Sequence, residues 1–154
     1  MSIPSRSDRT GTFFVTSSTF NRRRLFQVVA NPELFLETLQ QYRREGNYKL
    51  HAFVVMPDQI HLLLTPQGIT IERAVGLIKG GFSHRMGSKF PVWQRGFTDH
   101  RIRDRNEFEM RRNYIHHNPR ASKNRGTLRR VSLFVCISHR DQTDNGKALR
   151  LTRV

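Results

Sequence analysis

Two short clusters carry side chains that could do chemistry. In Met56-Pro57-Asp58-Gln59-Ile60-His61-Leu62-Leu63-Leu64, Gln59 and His61 stand two residues apart at the start of an apolar run. Strand residues alternate faces, so Gln59, His61 and Leu63 share one side and Ile60, Leu62 and Leu64 the other. A neutral imidazole nitrogen binds a divalent cation, and a Gln carbonyl oxygen is a weaker, harder ligand. Two such groups are half a site; a Gln and a His at a strand mouth also serve simply as turn-stabilising polar groups. The second cluster is Tyr114-Ile115-His116-His117-Asn118-Pro119. On a helix, Tyr114, His117 and Asn118 have i, i+3 and i+4 spacing, which points a phenol and further oxygen or nitrogen donors into one space. The plain alternative is an amphipathic Tyr that packs its ring and keeps its hydroxyl wet, with His116 favoured beside a helix C-terminus by the dipole.

The elements that must position these groups follow from pattern. Thr12 to Thr16 is aromatic and β-branched and reads as a strand. Asn31 with Pro32 predicts a helix start, and Phe35, Leu39 and Tyr42 form the stripe of a helix over 32–45 that ends near Gly46. Leu50 to Met56 and Ile60 to Thr65 are two strands joined by a tight Pro57-Asp58 turn. Thr70 caps a helix over 71–86, with Ala74, Val75, Ile78 and Phe82 on its apolar face. Gly80-Gly81 inside it implies a bend or a close approach. A strand is expected over 94–102. Asp104 and Glu107 then have capping-box spacing before a helix over 105–118 that Pro119 closes. The order strand, helix, strand, strand, helix, strand, helix is the split βαβ pattern of an α+β, ferredoxin-like fold: a four-stranded antiparallel sheet with an added C-terminal helix bearing Tyr114.

The chain has 154 residues and a formal charge of +15, from 27 Lys and Arg against 12 Asp and Glu. That length suits one domain, read as a flexible basic arm at 1–11, a folded domain at 12–119 and a basic, irregular tail at 120–154. The charge points to a polyanion, nucleic acid first, with a solvated basic face or a ribosome as blander readings. No run of 18 apolar residues and no leader pattern is present, so no membrane partner and a cytoplasmic location are expected. Cys136 is the lone cysteine, which excludes an intrachain disulfide.

The segments HAFVVMPDQIHLLLTP, IKGGFSHR, VWQRGFTDHRIRD and RRNYIHHNP occur in that order. They resemble the IS200-like single-tyrosine transposases, especially the relatives associated with repetitive extragenic palindromes, over about residues 10–120. The resemblance implies a ferredoxin-like catalytic domain and a His-hydrophobic-His metal pair on a central strand. It further implies a tyrosine nucleophile on a later helix, Mg²⁺ or Mn²⁺ as cofactor, and single-stranded DNA with hairpins or palindromes as partner. Carried over by position, Tyr114 is the nucleophile and His61 and Asn118 are metal ligands. The family's first metal His is replaced here by Gln59. Single-stranded DNA would be held through phosphates by Arg22, Arg23, Arg24, Lys79, Arg85, Arg95, Arg101 and Arg103, with Tyr42, Trp93 and Phe97 as possible stacking groups. The implied activity is that of an endonuclease and strand transferase with a 5′-phosphotyrosine intermediate, acting as a monomer, with a dimer as the other arrangement. The alternatives are a catalytically impaired nucleic-acid binder of the same descent and a basic structural or ribosome-associated protein.

Overall fold

The computed structural model describes residues 10–117, together with backbone strands at 134–137 and 152–153. The arm at 1–9, Asn118, Pro119 and the rest of the tail lie outside the described residues. Along the chain run β1 (Phe13–Ser18), α1 (Ala30–Arg44), β2 (Tyr48–Met56), β3 (Gln59–Pro66), α2 (Ile71–Met86), β4 (Thr98–Arg101), α3 (Arg105–His116), β5 (Phe134–Ile137) and β6 (Thr152–Arg153). All strand pairs are antiparallel, in the order β4-β1-β3-β2-β5-β6. The four strands expected from the split βαβ pattern are β4-β1-β3-β2. Two short tail strands extend that sheet past β2, at a part of the tail read as irregular. Pairing there satisfies the outer backbone groups of β2, which would otherwise form an open edge.

Alternation divides the core. Phe13, Val15, Phe53, Val55, Ile60, Leu62 and Leu64 face α1 and α2, where they meet Phe35, Leu39, Val75, Ile78 and Phe82. Phe14, Ala52, Val54, Met56 and Leu63 face the other way, onto Ile115 and Phe108 of α3. Among the described residues, one face therefore carries two helices and the other carries the Tyr114 helix. Both faces of β3 are covered, which is why its sequence is a nearly continuous apolar run rather than a strict alternation.

Local signals act largely as their chemistry requires. Thr70 Oγ1 accepts from Arg73 N–H at 3.1 Å and caps α2. Asp104 accepts from Glu107 N–H at 2.8 Å and caps α3. Asn31 does not cap α1: the helix begins at Ala30, and the Asn31 amide donates to the Leu25 carbonyl at 2.6 Å. A 3-10 turn at Leu25–Gln27 feeds the chain into the helix one residue before Asn31, so that side chain ties the turn down instead. The Gly80-Gly81 pair leaves α2 continuous and serves close approach. A Cβ on Gly81 would lie 2.6 Å from the Tyr42 hydroxyl oxygen, whereas one on Gly80 meets nothing within 4 Å. Tyr42 thereby packs between α1 and α2.

The predicted strand at 94–102 shortens to Thr98–Arg101. Before it, Val92 and Trp93 turn inward: Trp93 packs against Phe26, Phe35 and Phe82, and its indole N–H donates to the Lys79 carbonyl at 3.0 Å. Trp93 and Tyr42 are thus packing groups of the two-helix face.

Candidate active site

β3 places Gln59 and His61 on the α3 side of the sheet. His61 is buried, at 4% exposure, and its ring stacks on Phe14 of β1 with centroids 5.5 Å apart at 14°. Tyr114 meets both rings edge-on, at 5.6 Å from His61 and 6.0 Å from Phe14. Its side of α3 is open, and Tyr114 remains 41% exposed. A ring packed on the sheet with an accessible remainder is the arrangement a phenolic nucleophile needs.

Two hydrogen-bonded neighbours bear on the tautomer of His61. Arg22 Nη1 donates to Gln59 Oε1 at 3.2 Å, and a guanidinium has donors only, so the amide oxygen must face Arg22. The amide nitrogen consequently faces His61 Nε2 at 3.4 Å, a long contact, and donates to it. With Nε2 accepting, Nδ1 carries the proton and donates to Thr16 Oγ1 at 2.8 Å, across the β1–β3 pair where Thr16 and His61 are in register. His61 is held in one tautomer, and its Nε2 is covered by an amide N–H.

That arrangement does not suit a divalent cation. Among the described residues no group of three His, Cys, Asp or Glu converges to hold a metal. Gln59 turns its nitrogen toward the imidazole, and its oxygen is engaged by a positive charge. Asp58, beside it in sequence, pairs through Oδ2 with Arg22 Nε at 3.1 Å. Asn118 lies outside the described residues; of the two expected ligands that are described, Gln59 presents its N–H and His61 Nε2 already accepts a hydrogen bond.

The basic residues separate by position. Arg22 is in the site, and Arg23 lies over the exposed Phe90 ring at 5.8 Å. Arg24 immediately precedes the 3-10 turn at Leu25–Gln27 and is exposed, as is Arg95. Arg101 lies on the edge strand β4 against Gly11, and Arg103 is 3.7 Å from Glu107. Lys79 and Arg85 belong to α2, across the sheet from Tyr114. The Lys79 ammonium donates to the carbonyls of Gln94 at 3.1 Å and Gly96 at 2.7 Å, and burial lowers its pKa. Arg85 bridges to Thr38 and Gln41 of α1. Lys79 thereby ties a loop, and Arg85 a helix, to α2. Arg111, three residues before Tyr114 on α3 and not among the sequence-predicted cations, has its guanidinium over the Phe14 ring at 4.7 Å. Its i, i−3 spacing from Tyr114 was the available signal.

Two further groups brace α3. His51 is the extra residue at a β-bulge in β2; its Nε2 is 2.7 Å from Thr65 Oγ1 and its ring meets Phe108 edge-on at 5.2 Å. Burial, with Lys49 nearby, pushes the His51 pKa below the ordinary 6.5. Glu107 accepts from Arg103 N–H at 2.7 Å and bonds His100 of β4; these contacts hold its carboxyl below the ordinary 4.5. Both shifts make acid destabilising. The His51 contribution is whole above 6.5 and is lost as pH falls below that value, because the unfolded chain takes up the proton first. The Glu107 contribution is present above 4.5 and is lost as pH falls through its lower folded value. Denaturant unfolding from neutral pH down to about pH 3 is expected to show two declines. His51→Gln should remove the upper one and Glu107→Gln the lower; an upper decline that persists in His51→Gln would assign it to another group.

Comparison with known proteins bears on this geometry. A family model described as "Transposase IS200 like" matches residues 13–118. A REP-associated tyrosine transposase of Escherichia coli (strain K12) is 29% identical over 111 residues, covering 71% of this chain and 66% of that protein, so the match spans just under two thirds of the relative. Among solved structures, a REP-associated tyrosine transposase bound to a REP hairpin aligns with a TM-score of 0.65 at 27% identity, over 79% of this chain and 74% of the other. A crystal structure of a candidate transposase from Deinococcus radiodurans R1 shares the fold at a TM-score of 0.53 and 20% identity, over 75% and 96% of the two chains.

Proposed function

We propose that this chain, which belongs to the IS200-like transposase family, cuts and rejoins single-stranded DNA beside hairpins through a covalent bond to Tyr114. The observation that carries this is the edge-on packing of Tyr114 against His61 at 5.6 Å, with Tyr114 41% exposed. The relative solved on a REP hairpin supports a DNA hairpin as the partner. The formal charge of +15 supports a polyanion in general.

In the proposed reaction the Tyr114 oxygen attacks a backbone phosphorus in line. The P–O3′ bond breaks, the phenolic proton passes to solvent, and the departing 3′ oxygen takes a proton. The products are a 5′-phosphotyrosine bond and a free 3′-hydroxyl. A 3′-hydroxyl attacking that phosphorus reverses the step, releasing Tyr114 and sealing a strand without ATP. Arg111 and Arg22 are two cations on the α3 side that favour charge developing on the phosphate. No step here passes through a metal ion.

One gel series tests the reading. Labelled DNA hairpins with single-stranded flanks, incubated with the protein and run under denaturing conditions, are expected to give a covalent band. In a parallel salt titration the same hairpins should be bound in preference to duplex RNA. No covalent band together with equal or tighter binding of duplex RNA would replace strand transfer with shape-driven RNA binding.

A further inference from the structure

We propose that the Arg22 guanidinium is the fixed positive charge of this site, standing where a divalent cation would have to act and taking a non-bridging oxygen of the DNA phosphate. The inference rests on the strand-transfer reading above only for the identity of that anion.

Asn21 and Arg22 both have left-handed φ, 52° and 54°, which non-glycine residues adopt at a cost. The turn is held from several sides. Arg22 N–H donates to the Thr19 carbonyl at 3.1 Å, Thr19 N–H donates to the Asp58 carbonyl at 3.0 Å, and Phe26 N–H donates to the Pro57 carbonyl at 3.1 Å. This segment is therefore fastened to the β2–β3 turn that begins the Gln59–His61 strand. The fastening brings Arg22 to the mouth of the site although it lies 37 residues from Gln59 in the chain.

The guanidinium is shared among several acceptors. Its Nε is fixed by Asp58, and its Nη1 by Ser18 Oγ at 2.9 Å and Gln59 Oε1 at 3.2 Å. Nη2 carries two N–H donors that no described residue takes, and the side chain is 49% exposed. A guanidinium anchored on two of its nitrogens and open on the third matches a phosphate oxygen in geometry and charge. A cation on His61 Nε2 would need Gln59 to turn its oxygen inward, which would put an amide N–H against a donor-only guanidinium. It would also sit beside an existing positive charge.

Arg22→Gln, which removes the charge and keeps similar reach, and Arg22→Lys, which keeps the charge without the fork, test this with the full chain after circular dichroism shows each folded. The dependence of hairpin-DNA affinity on salt should flatten in Arg22→Gln by about 0.7–0.9 in log Kd per log salt, the slope of one phosphate contact, and stay near wild type in Arg22→Lys. Independently of DNA, titrating the wild-type protein with Mn²⁺ to about 1 mM should leave the His61 imidazole proton signals unbroadened, since Gln59 presents its N–H rather than its oxygen beside His61 Nε2 and the Arg22 charge stands next to it. An unchanged salt slope in Arg22→Gln, or His61 broadening at submillimolar Mn²⁺ in the wild type, would overturn the inference. Absence of a covalent band in every protein would instead remove the strand-transfer reading and leave these two measurements to decide the role of Arg22.

Discussion

Tyr114→Phe is expected to abolish covalent attachment to hairpin DNA, by at least about 10³-fold in rate, while DNA affinity and folding stay close to wild type. The substitution removes one oxygen. The ring that packs edge-on against Phe14 and His61 remains, and with it the seating of α3 on the sheet. Single-turnover adduct formation on denaturing gels, paired with anisotropy for binding, reads both halves of the expectation. Retention of the adduct in Tyr114→Phe would transfer the chemistry to a different nucleophile.

His61→Ala is expected to act on stability and chemistry together. His61 is buried on the central strand between Phe14 and Tyr114, and its removal deletes the stacked pair and leaves a void under the Tyr114 ring. Losses of buried rings suggest a cost of about 3–5 kcal/mol in unfolding free energy. Thr16 also loses its cross-strand partner. With Tyr114 no longer seated, adduct formation should fall by at least about 10²-fold even at saturating DNA, because a misplacement near 1 Å is enough for that loss. Urea unfolding beside single-turnover kinetics separates this from Tyr114→Phe, which should leave the urea midpoint unchanged. A His61→Ala protein that forms adduct at the wild-type rate would show that the imidazole neither seats nor assists the tyrosine.

What was legible in the sequence was legible because it was periodic or local. Alternation along Ile60 to Leu64 places His61 on one face and its apolar neighbours on the other. The helix period brings Tyr114 beside the stripe of Phe108 and Ile115, and Thr70 and Asp104 announce their helices by short-range hydrogen bonding. The unread parts depend on distant pairings. Charge alone made Lys79 and Arg85 resemble Arg22, yet two of them hold α2 to its surroundings and one reaches the strand mouth through a left-handed turn. The bulge that turns His51 toward Phe108 is a property of the β2–β3 register, which the sequence of β2 by itself does not specify. Asn31 has the composition of a cap and is passed by because the preceding 3-10 turn enters the helix early.

The central claim is that the Tyr114 oxygen becomes bonded to a 5′-phosphate of DNA. Protease and nuclease digestion of the wild-type adduct, followed by peptide mass spectrometry, tests it most directly. The expected result is a 5′-linked nucleotide on the peptide carrying Tyr114 and nowhere else, with the released DNA end bearing a free 3′-hydroxyl. A nucleotide on any other residue, or a 3′-phosphate linkage at Tyr114, would contradict it.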